Sequence, residues 1–291
     1  MSSAQVAVIG GSGFYRMEGL SDTEELWGAT PYGPTSDAFV LGTLAGTRVA
    51  FLARHGPGHR LLPSELPAQA NIWALKTLGV ERIIAVSAVG SLRPEIAPLH
   101  LVVPDQLIDR TRGRPSSFFG ESLVAHIAFD EPFCPALSGL LVAAGRSQGA
   151  TVHGGGTYVV IEGPAFSTKA ESNLYRSWGA HVIGMTALPE AKLAREAEIC
   201  YATLALVTDY DTWHATEERV SATLIIENLR RNVETAKQVV ADVVRALPGA
   251  PACECRRALA AALVTAPELV SDETKRRLAP IIGRYLPVET K

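Results

Sequence analysis

The chain is poor in the features that would tie it to a membrane, a nucleic acid or an oxidising compartment. No apolar run in its 291 residues reaches the roughly 20 needed to span a bilayer. The stretch Met1 to Gln5 is too short and polar to introduce a signal sequence. A cytoplasmic location is therefore expected, with no membrane partner. A basic excess is also missing: 27 Lys and Arg against 30 Asp and Glu leave a net charge of -3. Such a balance has no general attraction for phosphate polymers, so no nucleic-acid partner is expected. Four cysteines do not make a disulfide framework. Cys134 and Cys200 lie in apolar surroundings and read as core residues, while the Cys-x-Cys of Cys253 and Cys255 lacks a second pair for a zinc site. Internal repeats and linker-like segments are absent, so one domain over 1–291 is expected, with a helical tail from about 250.

What is present is a globular composition, 47% hydrophobic and 20% charged. Short apolar runs alternate with helical patterns, an α/β arrangement. Several runs end in residues able to hold an anion. Val6 to Ile9 enters Gly-Gly-Ser-Gly, where backbone N–H groups and Ser12 form a small cradle. The third glycine of a dinucleotide fingerprint falls at Arg16, so a dinucleotide-dependent oxidoreductase is the weaker reading of this turn. Thr47 to Ala53 runs into Arg54, His55, Gly56, Pro57, Gly58, His59 and Arg60, either a basic surface loop or a ligand loop at a strand end. Arg82 to Val86 ends in Ser87, Ala88, Val89, Gly90 and Ser91. Three such ends could enclose one tetrahedral oxyanion. A long helix from Ser221, with apolar positions Leu224, Ile225, Leu229, Val233, Ala236 and Val240, ends at Pro248 and Gly249. Short helical patches are expected over 256–264 and 271–285.

The stretch from Tyr201 to His214, YATLALVTDYDTWH, draws these parts together. Ala202 to Val207 reads as a strand buried on both faces, running into Thr208, Asp209, Tyr210 and Asp211. Carboxylates at i and i+2 on extended backbone share a side. They could cap the next helix, make an Asx turn, or hold a metal, although nothing nearby completes an oxygen-rich shell. They could also serve a ligand, one protonated by desolvation and donating, the other ionised and accepting. With Phe166 to stack on a flat ring, the set suits a purine base, a sugar and an attacking phosphate.

In chain order come Gly-Gly-Ser-Gly-Phe-Tyr, Ala-Arg-His-Gly-x-Gly-His, Gln-Ala-Asn-Ile-Trp-Ala-Leu-Lys, Gly-Ser-Leu-Arg, Glu-Pro-Phe-Cys-Pro, Gly-Pro-x-Phe-Ser-Thr-Lys-Ala-Glu-Ser, Gly-Met-Thr and Thr-Asp-Tyr-Asp-x-Trp. From about Val6 to Leu247 the chain resembles the 5'-methylthioadenosine phosphorylases of the trimeric nucleoside phosphorylase family. The resemblance implies a central mixed, partly closed β-sheet flanked by helices, a homotrimer, and no cofactor beyond inorganic phosphate as co-substrate. It implies phosphate binding by Ser12, Arg54, His55, Ser87 and Thr186; Ser12 and Ser87 stand where threonine is common. It places Met185 against the ribose, Ala88 near sugar and base, Phe166 beside the purine, and Asp209 and Asp211 at the purine edge. Asp at the second position favours a 6-aminopurine, because Asn is common in relatives acting on 6-oxopurines. Ala222, Ile225 and Ile226 would line an apolar 5' pocket, which Ala222 widens toward adenosine. His126 would come from a neighbouring subunit, although a histidine in an apolar run also reads as a core residue. Ala165 departs from the polar residue usual before the aromatic. Cys253 and Cys255 would be ordinary surface thiols or a labile disulfide like that of some thermophilic relatives. The expected reaction converts 5'-methylthioadenosine and phosphate to adenine and 5-methylthioribose 1-phosphate. The close alternative acts on methylthioinosine or another 6-oxopurine nucleoside.

Overall fold

The computed structural model describes residues 3–11, 17–214, 222–247 and 253–287. The strands among them are β1 (Val6–Gly10), β2 (Ser21–Leu26), β3 (Ala29–Thr30), β4 (Gly33–Pro34), β5 (Phe39–Leu44), β6 (Thr47–Ala53), β7 (Arg82–Ser91), β8 (Leu101–Val103), β9 (Gln106–Arg110), β10 (Val152–Gly154), β11 (Thr157–Ile161), β12 (Val182–Gly184) and β13 (Cys200–Asp209). The helices are α1 (Ala68–Thr77), α2 (Pro135–Ser147), α3 (Lys169–Ser177), α4 (Ala187–Glu196), α5 (Ala222–Ala246), α6 (Asp272–Arg277) and α7 (Ala279–Ile282). No helix among the described residues is long and apolar enough to cross a membrane.

Eleven strands form one mixed sheet, in the order β10-β8-β13-β7-β1-β6-β5-β2, with β12, β11 and β9 branching from β7. Its central strands are buried on both faces, which their unbroken apolar runs require. Along β13, Cys200, Ala202, Leu204 and Leu206 face one core with Leu137 and Leu141 of α2 and Val233 and Val240 of α5. Tyr201, Ala205 and Val207 face the other, with Ile72 and Leu75 of α1 and Ala191 of α4. This alternation is the two-residue period of a strand sandwiched between helical layers.

The sheet forks at β7. Residues Arg82 to Ala85 pair in parallel with β1 on one side, whereas Gly90 and Ser91 pair antiparallel with β12. Between them, Val86 to Val89 have no strand partner on that side among the described residues. On its other side β7 follows β13 in parallel, Ser87 opposite Ala205 and Gly90 opposite Asp209, with a bulge between Val207 and Asp209. A diverging point of this kind leaves a crevice at strand C-termini, the usual ligand position in open α/β sheets.

Two expectations change, and one strand appears that no sequence pattern marked. The strand expected over Arg82 to Val86 continues to Ser91, so residues 87–91 are the second half of β7. Strand β2 reads SDTEEL and is exposed throughout, so it shows no apolar face and is held by pairing with β5. Residues 256–264 are a short 3-10 turn over Glu254–Arg257 followed by turns. The helix cap expected at Ser221 lies outside the described residues.

Candidate active site

Arg54 follows β6 directly and is 1% exposed. Its Nε and Nη2 both donate to the carboxylate of Glu190 on α4, the latter at 3.1 Å. Nη1 donates to the carbonyl of Val86 at 3.0 Å and Nη2 to that of Ile9 at 3.3 Å. The guanidinium therefore sits at the fork, bonding one carbonyl of β1 and one of β7. Burial works against its charge, and Glu190 overrides this and holds it protonated. Four of the five guanidinium N–H groups are used in this way, which leaves one hydrogen on Nη1 for a ligand. Glu190 also accepts from the Tyr201 hydroxyl at 3.0 Å. Nothing in the local sequence announced Glu190, because it lies far from Arg54 along the chain.

His55 is buried and sets its Nδ1 2.9 Å from the carbonyl of Leu61. Donation from Nδ1 leaves Nε2 as an acceptor. Burial lowers its pKa to about 4, with Arg54 and His59 acting in the same direction, so the ring is neutral at pH 7. It stacks on His59 with centroids 4.2 Å apart. Ser87 lies on the stretch of β7 that pairs with β13 alone, and its buried hydroxyl has no hydrogen bond of ordinary geometry among the described residues. The hydroxyl of Tyr158 is close enough to Ser87 and Thr186 to feel both, although burial dominates and pushes its pKa up. Thr186 is buried at the N-cap of α4. Arg54, Ser87 and Thr186 thus converge around Tyr158, and His55 adjoins Arg54. Buried hydroxyls without partners are stabilised when a ligand oxygen meets them. Ser12 lies outside the described residues.

Asp209 ends β13, and Asp211 follows in a turn at φ +49°. The two are therefore not neighbours on extended backbone, as their spacing led us to expect. They meet instead across Gly90. A β-carbon added there would lie 3.0 Å from Oδ1 of Asp209 and 3.3 Å from Cβ of Asp211. Oδ1 of Asp209 accepts from the Asp211 N–H at 2.8 Å, and Oδ2 accepts from Thr208 Oγ1 at 2.7 Å. The Asx turn thus exists, but it does not account for the rest of the pair. Oδ2 of Asp211 is buried and has no hydrogen bond of ordinary geometry among the described residues, although the buried Ser172 hydroxyl lies near enough to favour the charged carboxylate. Burial raises the pKa of both carboxyls, that of Asp211 to about 6.

The remaining residues divide into those the structure brings to this crevice and those it does not. Asn228 and Asn232 of α5 donate to the carbonyls of Thr208 and Val207. Ile225, three residues before Asn228, shares that helix face and so adjoins the end of β13, whereas Ile226 is exposed. The backbone of Ala222 opens α5. Ala88 is half-buried on the stretch of β7 that pairs with β13 alone. Met185 packs against Gly163, where the approach leaves no room for a β-carbon: one would lie 2.5 Å from the Met185 sulfur. Phe166 is exposed on the loop that starts at Gly163. Arg114 clamps this loop to the Met185 segment, bonding the carbonyls of Glu162, Met185 and Leu188 and the Glu162 carboxylate. It is a second positioning residue that the sequence did not flag. His126 is exposed, so it is not a core histidine, and its N–H donates to Ala262 of the tail. No hydrogen bond or ring contact joins it to the other candidates among the described residues.

A fork lined with hydroxyls and a neutralised arginine beside two buried carboxyls has the donor and acceptor chemistry that an anion and a polar ring require. The chain belongs to the phosphorylase superfamily, whose family model matches residues 5–245. Over 97% of its length it is 59% identical to the S-methyl-5'-thioadenosine phosphorylase of Gloeobacter violaceus, covering 96% of that protein. It is 56% identical to the protein of the same name from Chloroflexus aurantiacus, over 98% of this chain and 99% of that one. Among solved structures it is similar to a methylthioadenosine phosphorylase from an antarctic soil metagenomic library, with a TM-score of 0.93, 51% identity, and 97% and 99% of the two chains covered. A methylthioadenosine phosphorylase from Schistosoma mansoni, solved with adenine, matches with a TM-score of 0.81 and 34% identity over 89% of this chain and 97% of that one. The dinucleotide reading of the first glycine turn falls with this membership, and the next described element after that turn is β2 rather than a helix.

Proposed function

We propose that this chain catalyses phosphorolysis of 5'-methylthioadenosine to adenine and 5-methylthioribose 1-phosphate, a step in purine and methionine salvage. The observation that carries this reading is the fork of β7, with Arg54, Ser87 and Thr186 gathered around Tyr158 and Asp209 and Asp211 set against Gly90. The names of the relatives support the same substrate. Phosphate is held by the remaining Nη1 hydrogen of Arg54, by the hydroxyls of Ser12, Ser87 and Thr186, and by Nε2 of neutral His55, which accepts from a protonated phosphate oxygen. It attacks the anomeric carbon as the bond to N9 breaks. Asp209, whose carboxyl burial shifts toward the protonated form, is the group that delivers a proton to N7 of the departing base. Asp211 is ionised above its pKa of about 6 and accepts from the 6-amino group. Phe166 stacks on the purine and Met185 and Ala88 border the sugar, while Ala222, Ile225 and Ile226 take the 5' methylthio group. Inorganic phosphate is the co-substrate, and no metal or organic cofactor enters the reaction. The working unit is a cytoplasmic homotrimer in which exposed His126 completes a neighbouring site.

Phosphate-dependent release of free base, measured side by side on methylthioadenosine, methylthioinosine, adenosine and inosine, tests the reading. Methylthioadenosine should be the best substrate. A preference for the inosine compounds would overturn the assignment of Asp211, and base release without phosphate would overturn the anion site.

A further inference from the structure

At the end of β13 opposite the candidate site, four sulfurs meet. Sγ of Cys134, Cys200, Cys253 and Cys255 all lie within 4.8 Å of one another, and Cys200 and Cys253 are 3.3 Å apart. Cys134 caps the N-terminus of α2, Cys200 opens β13, and Cys253 precedes and Cys255 lies within the 3-10 turn that begins the tail. The Cys-x-Cys therefore has its second pair, supplied by two residues that the sequence left as core. We propose that these four cysteines form a tetrahedral zinc site that staples the tail to the core.

The chemistry around the sulfurs fits. A zinc–thiolate bond of about 2.3 Å sets tetrahedral sulfurs about 3.8 Å apart, so the cluster needs only small movements to close on an ion. Zinc binding would release four thiol protons and leave a site of net charge minus two. That charge has compensation nearby. Arg82 lines a small cavity together with Cys134 and Cys200, and Arg195 acts on Cys255. The N-terminus of α2 favours a thiolate at Cys134. Leu137, Leu141 and Leu204 belong to the same apolar cluster as the buried cysteines and shield the site, while half-buried Cys253 leaves an entry path. The staple reaches further: the chain that leaves it pairs Leu263 with Ala125 and Ala262 with His126, so the ion would fix the segment that carries His126.

The test is metal content and the cobalt spectrum of the full-length protein, purified anaerobically with a thiol reductant and no chelator. About one zinc per chain is expected. Replacement by Co(II) should give thiolate charge-transfer bands and the visible bands of tetrahedral cobalt. These should be lost in Cys134→Ser and in Cys253→Ser; the latter changes only the half-buried ligand and keeps the test valid if the former misfolds. Metal-free protein with four free thiols, or protein lighter by the hydrogens of a disulfide, would overturn the proposal. So would a Cys253→Ser protein with unchanged zinc and cobalt bands. Base release from the same preparation tests the phosphorylase reading separately, since no ligand of this cluster lies in the candidate active site.

Discussion

Strands β7 and β13 carry two clusters, one at each end, and the two solve the problem of buried polar groups in opposite ways. At the N-terminal ends the sulfurs of Cys134, Cys200 and Cys255 sit in an apolar cluster with partners chiefly among themselves. Toward the C-terminal ends Ser87 and Asp211 keep buried polar atoms that no hydrogen bond of ordinary geometry satisfies among the described residues. Unsatisfied groups cost stability, and they persist where a ligand uses them. The first cluster is built to hold the chain together and the second to act on something that arrives. Variants at the fork should therefore change turnover, and variants at the sulfurs should change stability.

The largest effect should come from Asp209→Ala. Loss of a general acid typically costs about 10²- to 10⁴-fold, so kcat/KM should fall by that order while the melting temperature stays near that of the parent. A melting temperature that collapsed with activity would reduce Asp209 to a turn residue and erase the contrast. Glu190→Gln should be the exception at the fork, because it leaves the Arg54 charge buried and uncompensated. A loss of about 3–5 kcal/mol is expected in denaturant unfolding, and an unchanged stability would show that Arg54 does not need its partner. Gly90→Ala should be milder. Its β-carbon would press on Asp209 and Asp211, at an overpacking cost of about 1–3 kcal/mol, read as a roughly ten- to hundredfold drop in kcat/KM.

Asp211→Asn sharpens the comparison by its sign. The folded pKa of Asp211, about 6, lies above the 3.8 usual for an aspartate, so the native state binds the extra proton between those values. Stability is consequently lost as pH rises through this window, and above it the native state carries an unfavourable buried charge. Removing that charge should raise the melting temperature at pH 7.5 and have little effect near pH 4. The same substitution should shift preference toward 6-oxopurines. In the parent, the ratio of methylthioinosine to methylthioadenosine turnover should rise as pH falls below 6, where Asp211 becomes a donor. A pH-independent ratio would remove Asp211 from base recognition.

The strand ends were legible because they follow unbroken apolar runs: Arg54 and His55 leave Thr47–Ala53, and Asp209 leaves the run from Ala202. A polar group directly after a buried strand has few places to go except a sheet mouth. The resemblance to phosphorylases rested on the same segments. Glu190 and Arg114 were not legible, because each acts on residues far off in sequence and sits in an ordinary-looking helix or loop. Strand β2 has no apolar period to read. The second half of the cysteine cluster was missed for the same reason as Glu190. Cys134 and Cys200 reach Cys253 and Cys255 only through tertiary packing, and spacing rules see neighbours along the chain.

The pairing of Arg54 with Glu190 has a further consequence. With that guanidinium neutralised and the His55 ring uncharged at pH 7, the described part of the anion cradle carries almost no net charge. Capture of phosphate then depends on short-range donors rather than on a long-range field. Ionic strength screens exposed charges within about 10 Å at 0.1 M salt but leaves buried hydrogen bonds nearly untouched. The KM for phosphate should stay almost constant as inert salt is added, and the rate of encounter should resemble that of a neutral ligand.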